Sequence, residues 1–356
     1  MYIADSDNAR IRKVLPSGTI GTIAGNGQRG FAGDGGPAIN AFLWQPVGVA
    51  LDTTGNFYFT DSGNLRVRKV TPAGIISTVA GNGQSGFSGD GGAATAASLN
   101  RPAGIAVDFA GNLFIADSGN NRIRKVAPSG AITTVAGAPA IPLGDGGLAT
   151  SAQLSDPRGV SVDATGNLYI ADTGHNRIRK ISAAGIITTL AGTGISGFAG
   201  DGGPASSAFL FLPESVAVDT AGNVYIADTG NNRVRKITPA GVIDTVAGGG
   251  SRTGDGGPAT SASVSPLGMA VDAAGNLFIC AGNIRKVTPD GTISTVAGNG
   301  RTAFSGDGGD PTAASLNGPL GVAVDGTGRL FIADTGITVF AWSASMRFRK
   351  DRWSPR

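Results

Sequence analysis

The sequence predicts an all-β fold: a six-bladed β-propeller of four-stranded antiparallel blades, closed by a composite blade drawn from both termini. Three observations carry this. A Gly-Asp-Gly-Gly tetrad recurs six times, at Asp34, Asp90, Asp145, Asp201, Asp255 and Asp307, about every 55 residues. Each copy holds four short apolar runs separated by turn residues. A sheet of four short strands cannot hide two apolar faces alone, and a closed ring covers both faces of every unit with its neighbours.

One copy, Ala103 to Ala136, gives the elements in order. Gly104 to Val107 is a continuous apolar strand, and Asp108-Phe109-Ala110-Gly111 is a hairpin loop whose glycine takes the left-handed position. Asn112 to Ala116 is the second strand. It ends at Asp117-Ser118-Gly119-Asn120, where Asp and Asn bond their own backbone. Arg122 to Val126 is the third strand, closed by Ala127-Pro128-Ser129-Gly130, and Ile132 to Val135 is the fourth. Pro37 and Pro204, just after their tetrads, suit the first turn of a short helix, with the tetrad aspartate as its cap.

First strands begin near Gly48, Gly104, Gly159, Ser215, Gly268 and Gly321, which sets six blades. The repeats fall near 1–46, 47–102, 103–157, 158–213, 214–266, 267–319 and 320–336, so residues 1–336 read as one domain. Met1 runs straight into Tyr2-Ile3-Ala4-Asp5, the middle of a blade, without the charged and apolar regions of a signal peptide. The last copy has a first and a second strand but no regular third. Arg10 to Val14 and Ile20 to Ile23 therefore complete its blade, which leaves Tyr2 to Asp5 and Phe331 to Asp334 competing for one slot. Either one is displaced or the chain is a fragment of a longer array. Beyond Gly336 the repeat gives way to a divergent basic tail, 337–356, with Trp342 and Arg347, Arg349, Lys350, Arg352 and Arg356. In the fifth blade, Ala281-Gly282-Asn283-Ile284 lacks the aspartate and three residues of the usual turn, so that loop is expected to be shorter.

The strings Gly-Asn-Leu-Tyr-Ile-Ala-Asp-Thr-Gly-x-Asn-Arg-Ile-Arg-Lys at Gly166 to Lys180, and its Val-substituted copy at Gly222 to Lys236, resemble the NHL repeat family of six-bladed propellers. The resemblance runs from Tyr2 to about Gly336. It implies a sensor or protein-binding module in a bacterial extracellular or periplasmic setting, with an RNA-binding platform or a lyase or lactonase enzyme as alternatives. One fold hosts many functions, so the residues must decide.

Composition bounds those alternatives. No stretch approaches the roughly 18 apolar residues of a membrane span. The single Cys280 takes the place of a small core residue and reads as a buried apolar thiol. The net charge is +3, and all seven lysines lie in the repeated Arg-Lys of the third strand or its C-terminal echo. Nucleic acid is disfavoured as a partner. No exposed aromatic residues are expected among these charges to stack bases, and the arginines are expected to pair with blade aspartates. One histidine, His175, and one glutamate, Glu214, cannot build the multi-histidine metal site of a lyase. No catalytic residue and no cofactor is assigned. Calcium at Asp34, Asp90, Asp145, Asp201, Asp255 and Asp307 is an alternative, but each copy offers one carboxylate where calcium takes six to eight oxygens.

In an up-and-down meander, the second-to-third-strand loops and the fourth-to-first connections share one face, the loop-rich one. The residue between Pro and Gly at the start of each first strand rings the channel mouth there: Val47, Ala103, Arg158, Glu214, Leu267 and Leu320. Here alone the repeat breaks its symmetry with charge, and His175 lies in a loop on the same face. The expectation is a monomeric, non-catalytic propeller that binds a protein or small-molecule ligand at this mouth.

Overall fold

The computed structural model describes residues 8–138, 143–252 and 254–335. Six sheets stand around a central channel, each a meander in chain order except the last. Blade two is representative, with strands Pro102–Val107, Leu113–Asp117, Arg122–Val126 and Ile132–Ala136 from channel to rim. Its first hairpin closes on Asp108, whose carboxylate accepts from the Asn112 backbone N–H at 2.8 Å and the Asn112 side chain at 2.7 Å. The tight turn is thus built from two residues four apart.

The first strands form a closed ring: Pro46–Leu51, Pro102–Val107, Pro157–Val162, Pro213–Val218, Met269–Val271, Pro319–Val324 and back to Pro46–Leu51. Closure is composite. Arg10–Leu15 pairs antiparallel with Leu330–Asp334, from Arg10 opposite Asp334 to Val14 opposite Leu330, and Thr19–Ala24 is the outer strand of that blade. Tyr2 to Asp5 and the 337–356 tail lie outside the described residues.

The core lies between blades. Val67 and Ala80 of blade one pack with Ile115 and Ile132 of blade two, and Ala94, Ala97 and Leu99 of the connection fill the gap. That is why the stretch after each tetrad is rich in alanine: a larger residue has no room between two sheets packed at crystal-like density. The fifth blade's turn is short as expected. Leu277 pairs with Val287, whereas Leu113 pairs with Val126 across a full-length turn. Cys280 is fully buried there, and burial pushes its thiol pKa up.

The tetrad's position corrects the helix-cap expectation. Single turns of 3-10 helix do follow it, at Ala38–Asn40, Ala94–Ala96 and Ala205–Ser207, but the residue before each (Pro37, Ala93, Pro204) is extended and no side chain caps the turn. The tetrad instead lies along the exposed edge of the next blade's outer strand. Gly91 N–H donates to Ile132 O at 2.8 Å and Ile132 N–H donates to Gly92 O at 3.0 Å. The same latch forms Gly203–Pro204 as a fifth strand on Val242–Gly248 and recurs between Gly308, Gly309 and Ile20 in the composite blade. Each outer edge, which would otherwise offer unpaired N–H and C=O groups, is closed in this way.

Candidate functional site

The last arginine of each third-strand run is buried, and in every blade but the fifth it is held between two carboxylates. Arg68 meets Asp61 at 3.1 Å and the tetrad Asp34 at 2.6 Å, and Arg124 meets Asp117 at 3.3 Å and Asp90 at 2.8 Å. Arg179 with Asp145, Arg235 with Asp201, Arg285 with Asp255 and Arg12 with Asp307 repeat the outer half. The second carboxylate oxygen of Asp34 accepts from the backbone and hydroxyl of Thr78 on the outer strand. The tetrad aspartates thus tie the latch to the blade interior. Spread round the rim, they converge on no common point, and among the described residues no three His, Cys, Asp or Glu side chains group as metal ligands.

The first arginine of each run departs from the expectation that both pair with aspartates. Arg66 donates to the Asn64 and Asn82 carbonyls and lies 3.8 Å from the Phe31 ring centre. Arg122 and Arg233 lie 3.9 Å from Phe87 and Phe198. These half-exposed phenylalanines correct the expectation that no aromatic residue stands among the charges. Each is spent on covering two guanidinium groups of its own blade. Lysines lie along the sheet over aromatic rings, Lys69 Nζ 5.7 Å from the Tyr58 ring and Lys180 Nζ 5.4 Å from the Tyr169 ring.

At the axis, the Pro-x-Gly glycines let the inner strands approach. A Cβ built on Gly159 would lie 2.8 Å from Ser215 Cα of the next blade. This crowding leaves the residue before each glycine facing the channel mouth. The structure places Val47, Ala103, Arg158, Glu214, Leu267 and Leu320 together in the lining of one cavity of about 160 Å³. His175 is not among its lining. It bonds Asp172 Oδ2 through Nδ1 at 2.9 Å, so its loop shares the face but the ring turns toward its own blade.

Two charged lining residues are not marked by the repeat pattern: Arg101 and Asp156, each directly before the entry proline. Both hold left-handed backbone, φ 50° and 44°, as do Gln45 and Leu212 at the same place in their blades. The available signal was the pair of charges in Arg101-Pro102 and Asp156-Pro157. With them the mouth carries a chain of charges. Arg158 donates to Glu214 Oε1 and, through Nε, to Asp156 Oδ2 at 3.0 Å, and Arg101 stands 3.8 Å from Asp156 Oδ1. Burial pushes the Glu214 carboxyl up, Arg158 pulls it back and Asp156 adds to the rise. Burial pulls the Arg158 guanidinium down, and its two carboxylates more than offset that. The charges occupy the side of blades two to four, while Val47, Leu267, Met269 and Leu320 make the other side apolar.

The Teneurin NHL domain profile matches residues 26–87, 82–143, 140–196 and 194–253, four consecutive repeats of the ring. The chain belongs to the Teneurin NHL domain family. Teneurin-1 of Mus musculus is 30% identical to this NHL chain over 277 residues, covering 67% of it and 10% of the teneurin. Teneurin-4 of Homo sapiens is 29% identical over 276 residues, again covering 67% and 10%. The NHL chain thus spans about a tenth of the length of the curated relatives it matches. Among solved structures, a protein of unknown function from Bacteroides thetaiotaomicron superposes with a TM-score of 0.65 at 21% identity, covering 92% of this chain and 74% of that one. An auxiliary nutrient binding protein from Bacteroides ovatus gives 0.62 at 14%, covering 92% and 75%. Virginiamycin B lyase from Staphylococcus aureus gives 0.50 at 15%, covering 82% and 78%. At these identities the structures share the NHL chain's propeller architecture. No helix among the described residues is long and apolar enough to cross a membrane.

Proposed function

We propose that this propeller is a non-catalytic binding or sensor module that takes a protein or small ligand at the channel mouth of its loop-rich face. One observation supports it: the residues at which the six copies diverge, Val47, Ala103, Arg158, Glu214, Leu267 and Leu320, line a single cavity that is apolar on one side and charged on the other. Concave, mostly apolar sites with a few placed polar groups are the usual form of a ligand pocket. A nutrient binding protein on the same architecture accords with this use of the fold.

The test is a capture experiment with wild type and the Arg158→Ala, Glu214→Ala double variant. Each residue is about one-fifth exposed and belongs to no repeated scaffold contact, so the fold is retained. A ligand that contacts this pair loses more than about 1 kcal/mol of affinity, because two partly desolvated charged contacts to it are removed together. A ligand held equally by both proteins would place the site on the outer loops instead.

A further inference from the structure

The charged side of the mouth is incompletely satisfied. Asp156 lines the cavity, and its Oδ1 is shut off from solvent without a hydrogen bond to any described residue. Arg158 is bonded to the other carboxylate oxygen, Oδ2, and Arg101 approaches Oδ1 no closer than 3.8 Å, outside hydrogen-bond range, and is about half exposed. A buried acceptor without a donor costs free energy that a ligand donor would recover. The neighbouring Glu214 carboxylate lines the same wall. The donor the site lacks is therefore one that reaches Asp156 Oδ1 from the cavity.

A lone cation would fill that place poorly, since it would enter between the Arg101 and Arg158 guanidinium groups. Two arginines and two carboxylates already balance. A head group with both signs keeps the balance: its donor faces Asp156 and Glu214 while its anionic end faces Arg101. Opposite this wall lie Leu267, Leu320, Val47 and Met269, which suit a short apolar body. Resting on the binding-module reading above, we infer that the mouth takes a small zwitterion with an apolar side chain, of the α-amino acid type. Its ammonium group donates to Asp156 Oδ1 and its carboxylate accepts from Arg101.

Calorimetric titration of the whole chain with three probes of matched apolar body tests this: L-leucine, 3-methylbutylamine and 4-methylpentanoate. Leucine is expected to bind about tenfold more tightly than either single-charge analogue. Asp156→Asn, which keeps the shape and the left-handed backbone, is expected to remove that advantage, and Arg101→Gln to weaken leucine while leaving the amine unchanged. Equal or tighter binding of the amine or the acid, leucine binding that ignores Asp156→Asn, or no binding of leucine overturns the inference. If an analogue binds and the Arg158→Ala, Glu214→Ala variant abolishes it, the mouth still stands as the site and only the ligand class falls.

Discussion

Leu65 holds φ at 55°, the left-handed conformation that Asn121, Asn176 and Asn232 hold at the same place after their own 3-10 turns. In those blades the asparagine also works across the ring. Asn121 Oδ1 accepts from the Asp156 N–H at 2.7 Å, and Asn176 Oδ1 accepts from the Leu212 N–H at 2.9 Å. Leucine carries a Cβ penalty there and brings no acceptor. Leu65→Asn is expected to stabilise the protein by about 1 kcal/mol, read as a raised urea midpoint with unchanged slope. A lowered midpoint would show that the leucine packs better than its backbone suggests. The mouth residues were legible one by one because a repeat exposes its own exceptions. Arg101 and Asp156 were not, since nothing in the sequence tells that a residue before proline adopts left-handed backbone and turns into the channel. His175 shows the complementary case: its place in a loop gives its face, and the bond of its ring to Asp172 decides its direction.

At the scale of the strand, the buried arginine is the piece whose partners differ between blades. Arg124 lies between Asp117 and Asp90, whereas in the fifth blade Ala281 stands where the inner aspartate would be and Arg285 has only Asp255, which is half exposed. Arg124→Met leaves Asp117 ionised in the interior and is expected to cost about 3 kcal/mol. Arg285→Met, which abandons one solvated carboxylate, is expected to cost roughly 1 kcal/mol. Urea unfolding of the two variants measures the difference, and equal losses would mean that the inner aspartate adds nothing. Strand boundaries and turn types could be read from the sequence because each blade repeats the same local chemistry. The tetrad aspartate reads as a helix cap in sequence because Asp followed by a small-residue turn satisfies that local rule. Its true partners, Arg68 and Thr78 for Asp34, lie 34 and 44 residues onward and become neighbours only when the ring is folded.

At the scale of the whole molecule, two groups of carboxylates are shifted in opposite senses. In the channel-side hairpins, partial burial raises the Asp163 carboxyl, but bonds from Asn167, Thr165 and Tyr169 outweigh it and hold it at about 2, and Asp52 and Asp325 are lowered in the same way. Their contribution is present above about pH 4 and is lost as pH falls toward about 2. In the buried arginine sites, burial outweighs the bonds from neighbouring donors and pushes Asp61 and Asp334 up to about 6. These favour the folded state most below about pH 4, and that advantage is lost as pH rises through about 6. The thermal midpoint is therefore expected to peak near pH 4 to 5, and a midpoint that climbs steadily from pH 2 to 7 would contradict it. Six-fold closure was readable from the count of first strands, and the composite blade from the half-copies at each end. The latch bears on how such a ring could have grown. Because residues 81–101 seal the blade that follows them, the self-sufficient unit of inheritance is the segment from Gly81 to Ala136, a latch with its own blade. A gene duplication cut at the start of a first strand would leave its new outer edge open, whereas one cut after a fourth strand delivers a sealed copy.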